Sequence, residues 1–216
     1  MFDAALRQTL DAPLRAVATA LDRPWITPDR LTIAGLVVGL SSAAAAATQL
    51  WWWSLALWLL SRLFDGLDGS LARLRRERAA TGDDGTGGTA QSQAGGFLDI
   101  IADFTVYGFT VFGVGVGATA GFGAPWWPFV LVLLAYYLNG GAFLAFSSIA
   151  ERTNRQIDDG RSLSFLGRIA EGTETILVHS LWLIVPFFAW QIALAWALFV
   201  GLSAVQRMIA GYRALR

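Results

Sequence analysis

Four aspartates stand in segments that are otherwise almost wholly apolar. Asp65 and Asp68 are three residues apart, and Asp99 and Asp103 are four apart. On a helix, either spacing puts both carboxylates of a pair on one face. Ionisable groups inside an apolar span are costly and face a cavity, a partner or an ion. Four carboxylates converging on one volume repel, so protons or cations must neutralise them. An all-oxygen donor set favours a hard divalent ion such as Mg2+ or Mn2+. Four acids suit two such ions, and a two-metal site suits phosphoryl transfer. Arg73, one turn beyond Asp68 and Gly69, is placed to hold a phosphate oxygen. Gly69 and Ala72 leave room for a ligand to approach the backbone. The competing reading is structural: arginines such as Arg62, three residues before Asp65, and Arg73 tie the bundle together through the acids. One pair at Arg62 is expected, yet one arginine cannot balance four acids.

The elements that must carry these residues are membrane helices. The chain has 216 residues, of which 55% are hydrophobic, with a mean hydropathy of +0.51. Only 15% are charged, against roughly 25% in an ordinary soluble domain. That composition excludes a disordered or fibrous chain and argues against a soluble globular one. The absence of cysteine excludes a disulfide framework and a Cys-ligated metal site. A formal net charge of zero, with arginine supplying every basic side chain besides one His, gives no sign of a nucleic-acid partner. Six stretches approach the about 20 apolar residues that a spanning helix needs. They run near Leu31–Gln49, Trp51–Leu71, Gly96–Ala118, Trp126–Ile149, Thr173–Phe188 and Ala189–Ala210. The last two are nearly continuous, and Pro186 with Phe187–Gln191 marks the turn between them.

Charge placement predicts the topology. Arginines precede the first span, follow the second, fill the connection between the fourth and fifth, and close the chain, while the other three connections have none. Arginine-rich loops are cytoplasmic. The expected fold is therefore all-α and polytopic, with six transmembrane helices and both termini and the acids on the cytoplasmic side of the cell membrane. Trp51, Trp52, Trp53, Trp126, Trp127 and Trp190 fall at the predicted outer ends, where an interfacial aromatic belt belongs.

Residues 1–24 read as a juxtamembrane segment ahead of the transmembrane domain, 25–216. Phe2, Leu6, Leu10, Leu14, Val17 and Leu21 recur at three- and four-residue steps, so an amphipathic helix on the cytoplasmic membrane surface is expected. The alternative is a helix packed on its own protein. Thr27-Pro28 reads as a helix start, with Thr as cap and Pro in the first position. Residues 79–95 (AATGDDGTGGTAQSQAG) are polar, Gly-rich and without aromatics, and read as a cytoplasmic loop. Their GDDGTGG run matches neither a P-loop nor an EF-hand.

These residues carry a resemblance. The sequence resembles the CDP-alcohol phosphotransferase (CDP-alcohol phosphatidyltransferase) family, whose signature is Asp-x2-Asp-Gly-x2-Ala-Arg, a spacer, then Gly-x3-Asp-x3-Asp. Here Asp65, Asp68, Gly69, Ala72 and Arg73 supply the first half, and Gly95, Asp99 and Asp103 the second. The departure is the spacer: 21 residues separate Arg73 from Gly95, more than is usual in the family. Longer loops add little closure entropy, so the site should survive. Thr27-Pro28-Asp29-Arg30-Leu31-Thr32 also looks like the family's lead into its first span, with Asp29 where Asn is common.

The resemblance implies a homodimeric enzyme of phospholipid synthesis. A CDP-linked lipid such as CDP-diacylglycerol donates its phosphatidyl group to an alcohol, and CMP leaves. It further implies that Asp65, Asp68 and Asp99 ligate metal. Asp103 is the general base and also touches metal, and Gly69, Ala72 and Arg73 line the CDP site. Acceptor recognition is more open. Arg152, Arg155, Arg161 and Arg168 are candidate ligands for a phosphorylated acceptor, or simply mark a cytoplasmic loop. Glu171 and Glu174 either suit a helix N-terminus or read a cationic or polyhydroxy acceptor. His179, the single histidine, reads as a packed, hydrogen-bonded residue. Two other functions compete. A membrane prenyltransferase also uses Asp-rich motifs and Mg2+, but its first motif opens on Asn-Asp, whereas Phe64 precedes Asp65 here. An ion or proton transporter would spread acids across the membrane depth, and these four cluster at one side.

Overall fold

The structure, a computed structural model, describes residues 2–81, 93–152 and 172–216. Among these the chain forms seven α-helices and no strand: α1 (Phe2–Leu21), α2 (Pro28–Ala47), α3 (Trp51–Thr81), α4 (Gln93–Phe122), α5 (Trp127–Arg152), α6 (Gly172–Ile184) and α7 (Ala189–Leu215). A 3-10 turn, Pro186–Phe188, joins the last two. Each apolar stretch of the sequence lies on its own helix, and the turn at Pro186 falls where expected. Thr27 caps α2: its side chain accepts from the Arg30 N–H at 3.3 Å, with Pro28 in the first turn.

Two boundaries differ from the sequence expectation. α3 does not stop near Leu71 but continues to Thr81, and α4 already begins at Gln93. Positions 79–81 and 93–95 of the expected loop are therefore helical, and 82–92 lie outside the described residues. The run Ala72–Ala80 is made of Ala, Leu, Arg and Glu, all strong helix formers, so helix continues where hydrophobicity ends.

Contacts divide the chain into two compact units, residues 1–114 and 115–216, with the boundary inside α4. In the first unit, α1 packs on α3. Ala18, Leu31, Leu67 and Leu71 form a buried cluster flanked by Leu14, Leu21, Ile26 and Phe64. Polar contacts lock the turn after α1. Asp22 pairs with Arg75 and Arg78, and Arg75 Nη2 donates to the carbonyls of Arg23 (3.0 Å) and Ile26 (2.8 Å). Arg15 Nη2 meets Glu77 Oε2 at 2.5 Å. The inner side of the amphipathic helix thus covers its own protein, while Val17 stays 44% exposed.

α2, α3 and α4 approach closely through small residues. A Cβ on Gly113 would stand 2.2 Å from the Ala43 carbonyl oxygen, and one on Gly39 would stand 2.6 Å from Val106 Cγ1. Without Cβ atoms the backbones can meet, as small residues allow between membrane helices. Serines then bond across the gap. Ser42 Oγ donates to the Ser54 carbonyl at 2.8 Å, and Ser61 Oγ donates to the Gly35 carbonyl at 2.7 Å. In the second unit α5 packs on α7 around Phe129, Val132, Trp182, Trp196 and Val200. His179 is fully buried there; its Nε2 lies 2.8 Å from Tyr136 Oη, which accepts from Trp196 Nε1 at 2.7 Å. That is the packed, hydrogen-bonded histidine expected from the sequence.

Among the described residues four helices are long and apolar enough to cross a membrane: Pro28–Ala47, Ala94–Phe122, Trp127–Arg152 and the stretch Pro186–Leu215. α3 and α6 fall outside that set. α3 carries Arg62, Asp65, Asp68 and an arginine-rich last third, and α6 has 13 described residues.

Candidate active site

Two helices position the four acids. Asp65 and Asp68 sit midway along α3, and Asp99 and Asp103 sit in the first half of α4. Bonds between these helices bring the two pairs together. Arg62 Nη1 on α3 donates to Asp103 Oδ1 on α4 at 2.6 Å, and one turn earlier the Trp58 and Tyr107 rings meet at 5.8 Å. The carboxylates then lie within electrostatic reach of one another: Asp65 of Asp68 and Asp103, Asp68 of Asp99 and Asp103, and Asp99 of Asp103. The spacing thus leaves all four carboxylates close enough to feel one another's charge.

The carboxylates are not turned toward one common point. Among the described residues no three His, Cys, Asp or Glu side chains gather tightly enough to enclose a metal ion. Each pair has one member held by a protein partner. Thr32 Oγ1 on α2 donates to Asp68 Oδ2 at 2.6 Å, and Arg62 holds Asp103. Arg62 Nη1 stands 3.9 Å from Asp65 Oδ1, so the expected within-helix pair exists but is the looser of its two contacts. Asp65 and Asp103 keep 34% and 33% of their side-chain surface exposed, whereas Asp68 is buried. In chemistry the donor set fits hard divalent cations: four carboxylates and a hydroxyl, without nitrogen or sulfur donors.

The remaining signature residues continue along α3. Ala72 is buried and Arg73 is exposed. The Arg73 guanidinium folds back along its own helix: Nη2 donates to Ser70 Oγ at 3.1 Å, and Nη1 lies 3.4 Å from where a Gly69 Cβ would stand. Gly69 thus leaves the space beside the guanidinium open. Of the acceptor candidates, Arg152 is exposed at the end of α5, and Arg155, Arg161 and Arg168 lie outside the described residues. Glu174 stands in the first turn of α6, where a carboxylate complements the helix dipole; Glu171 is outside the description.

Three further side chains belong to the site. Thr32 orients Asp68, and Trp58 and Tyr107 enclose Arg62. Their only sequence signal was position: Thr32 lies in the lead into the first span, and Trp58 and Tyr107 stand one turn from Arg62 and Asp103.

Comparison with known proteins identifies the family and the fold. Residues 25–84 match the family model for CDP-alcohol phosphatidyltransferase, a region that holds Asp65 through Arg73 and ends inside the long spacer. Inner membrane protein YnjF of Escherichia coli (strain K12) is 34% identical, over all of this chain and 98% of its own length. The phosphatidylinositol phosphate synthase of Mycobacterium tuberculosis has a similar fold. Its CDP-DAG-bound structure gives a TM-score of 0.61 at 21% identity, covering 94% of this chain and 91% of that one. Its apo structure gives 0.56 at 21% identity, covering 93% of each. With the first half of the signature inside the matched region and a relative aligned from end to end, the chain belongs to the CDP-alcohol phosphatidyltransferase family of membrane enzymes.

Proposed function

We propose that this enzyme transfers a phosphatidyl group from CDP-diacylglycerol to a small alcohol, with release of CMP. The observation that carries the reading is the mutual electrostatic proximity of Asp65, Asp68, Asp99 and Asp103 on α3 and α4, with Arg73 about two turns beyond Asp65 on α3. Family membership sets aside the prenyltransferase and transporter readings. The CDP-DAG held by the mycobacterial relative supports the choice of donor.

Each residue has a distinct task in this reading. Asp65, Asp68, Asp99 and Asp103 would hold two divalent cations, Mg2+ or Mn2+. Such ions, when bound, offset the charge of the donor's diphosphate and of departing CMP. Arg73 binds diphosphate oxygens, and Gly69 and Ala72 let the nucleotide lie against α3. Asp103 takes the proton of the acceptor hydroxyl. The alcohol oxygen then forms a bond to the phosphorus of the phosphatidyl group. The bond from that phosphorus to the CMP oxygen breaks, and the electron pair leaves with CMP. A phosphorylated acceptor would meet the arginines Arg152, Arg155, Arg161 and Arg168.

The same reading places the chain in the membrane as six spans. The sixfold match of apolar stretches to α2–α7 supports it, as does the exposure of Trp52 and Trp53 in the first turn of α3 and of Trp126 and Trp127 at the start of α5. The arginine-rich ends, and with them the acids, face the cytoplasm, so acyl chains stay in lipid while the head group meets a soluble acceptor. α1 lies along the cytoplasmic surface, its inner side on α3 and its outer side toward the head groups. The enzyme works as a homodimer.

Donor chemistry is testable without knowing the acceptor. Labelled CDP-diacylglycerol bound to the purified protein with Mn2+ should be displaced by CDP and CMP but not by pyrophosphate. Arg73→Met should weaken donor binding by about tenfold to a hundredfold, as loss of charged hydrogen bonds does. Displacement by pyrophosphate and not by CMP would refute a CDP-linked donor.

A further inference from the structure

Arg62 is not among the signature residues, yet it is built into the acidic site more firmly than any of them. Its side chain is 6% exposed. One end of the guanidinium bonds Asp103 at 2.6 Å and stands 3.9 Å from Asp65, and Nη2 donates to Ser61 Oγ at 3.1 Å. The Trp58 and Tyr107 rings form a corner around it, with their centroids 5.1 Å and 5.0 Å from Cζ. Cation–π contacts strengthen when desolvated, and the corner fixes the plane of the guanidinium fork. Nε is buried with no hydrogen-bond partner, a cost the protein tolerates to keep this cation in place.

Such an arginine cannot swing into water when another cation arrives. Leaving would break the bond to Asp103 and strip both ring contacts together. Its charge therefore remains beside two of the four carboxylates whatever else they hold. We propose that Arg62 is a resident counter-ion of the carboxylate site: it fixes the Asp103 carboxylate through one oxygen, leaving the other to face the acceptor, and it lowers the site's affinity for divalent cations. It is a positioning residue, acting through Asp103. The inference rests on the reading of these acids as cation ligands.

A cation 3.9 Å from one ligand and 2.6 Å from another repels an incoming divalent ion appreciably even at an effective dielectric near 20. Removing the charge should therefore tighten metal binding, the reverse of what damage to a site does. The test is Mn2+ binding by the purified full-length protein, followed by the EPR signal of free Mn2+. Arg62→Gln should bind Mn2+ about tenfold or more tightly than wild type, while kcat for CMP release falls by about tenfold or more and donor KM changes little. Arg62→Lys keeps the charge but loses the planar fork. It should bind Mn2+ within about twofold of wild type and still lose kcat.

Arg62→Gln alone leaves buried groups unpaired and can fail to fold. The same comparison is therefore made in the Asp103→Asn background, where the pair is already weakened. The Arg62→Gln/Asp103→Asn protein should bind Mn2+ about tenfold more tightly than Asp103→Asn alone. Equal or weaker binding on loss of Arg62, in either background, overturns the inference. Wild-type protein that binds no Mn2+ overturns the metal reading beneath it.

Discussion

Asp103→Asn should reduce CMP release by about 10²- to 10⁴-fold while leaving the protein folded and donor binding nearly intact. That range is what a positioned general base contributes. The substitution is nearly isosteric, and the amide oxygen can still accept from Arg62 Nη1, so the contact between α3 and α4 survives in weakened form. Asp103 keeps 33% of its side chain exposed, so water compensates part of the lost charge. The stability cost should stay within about 1–2 kcal/mol. Three measurements decide it: kcat for CMP release, thermal unfolding in detergent, and CDP-diacylglycerol binding. Turnover like that of wild type would remove Asp103 from the base role. Loss of folding together with turnover would mark its bond to Arg62 as its main contribution.

The largest structural effect should come from Gly113→Ala. Its new Cβ would stand 2.2 Å from the Ala43 carbonyl oxygen and 2.9 Å from the Ala43 carbonyl carbon, distances a real Cβ does not occupy. The obstacle is backbone, not a side chain that can rotate away, so α2 and α4 must separate. Val111 and Val114, fully buried on either side of Gly113, would lose contacts as they did. Overpacking usually costs about 1–3 kcal/mol, and a backbone clash belongs at or beyond the upper end. Gly108→Ala on the same helix is the control. Nothing lies within 4 Å of its Cβ, and replacing a helical glycine by alanine is neutral or stabilising by up to about 1 kcal/mol. Equal thermal stability of the two variants would contradict the close approach of α2 and α4.

What the sequence made legible follows from which signals are local. Apolar runs of spanning length located α2 to α7, the Thr27-Pro28 cap located the start of α2 to the residue, and Pro186 marked the turn between α6 and α7, although α6 ends at Ile184, short of the expected Phe188. Helical periodicity paired Asp65 with Asp68 on α3 and Asp99 with Asp103 on α4, the two halves of the candidate site. The end of α3 was not legible from hydrophobicity, because the arginine-rich segment after Leu71 keeps its helix through propensity and through Asp22 and Glu77, which pair with Arg75, Arg78 and Arg15. The role of Arg62 was only half legible. An i, i+3 spacing pointed to Asp65, but the shorter bond goes to Asp103 on another helix, because Trp58 and Tyr107 aim the guanidinium there. Gly39 and Gly113 read as ordinary small residues of apolar spans. Their function as points of close approach, Gly39 to the Val106 and Ser61 side chains and Gly113 to the Ala43 backbone, depends on which helices meet, and that is set by tertiary packing.

The central claim is tested most directly by CMP release from CDP-diacylglycerol. The purified protein in detergent would receive the donor, Mg2+ or Mn2+, and one alcohol at a time: glycerol 3-phosphate, serine, inositol, an inositol phosphate or choline. The account predicts CMP release with one of these alcohols, abolished by a chelator, restored by returning the cation and lost in Asp103→Asn. CMP release that continues unchanged with every divalent cation chelated would contradict it, as would protein that neither binds nor turns over CDP-diacylglycerol in the presence of metal.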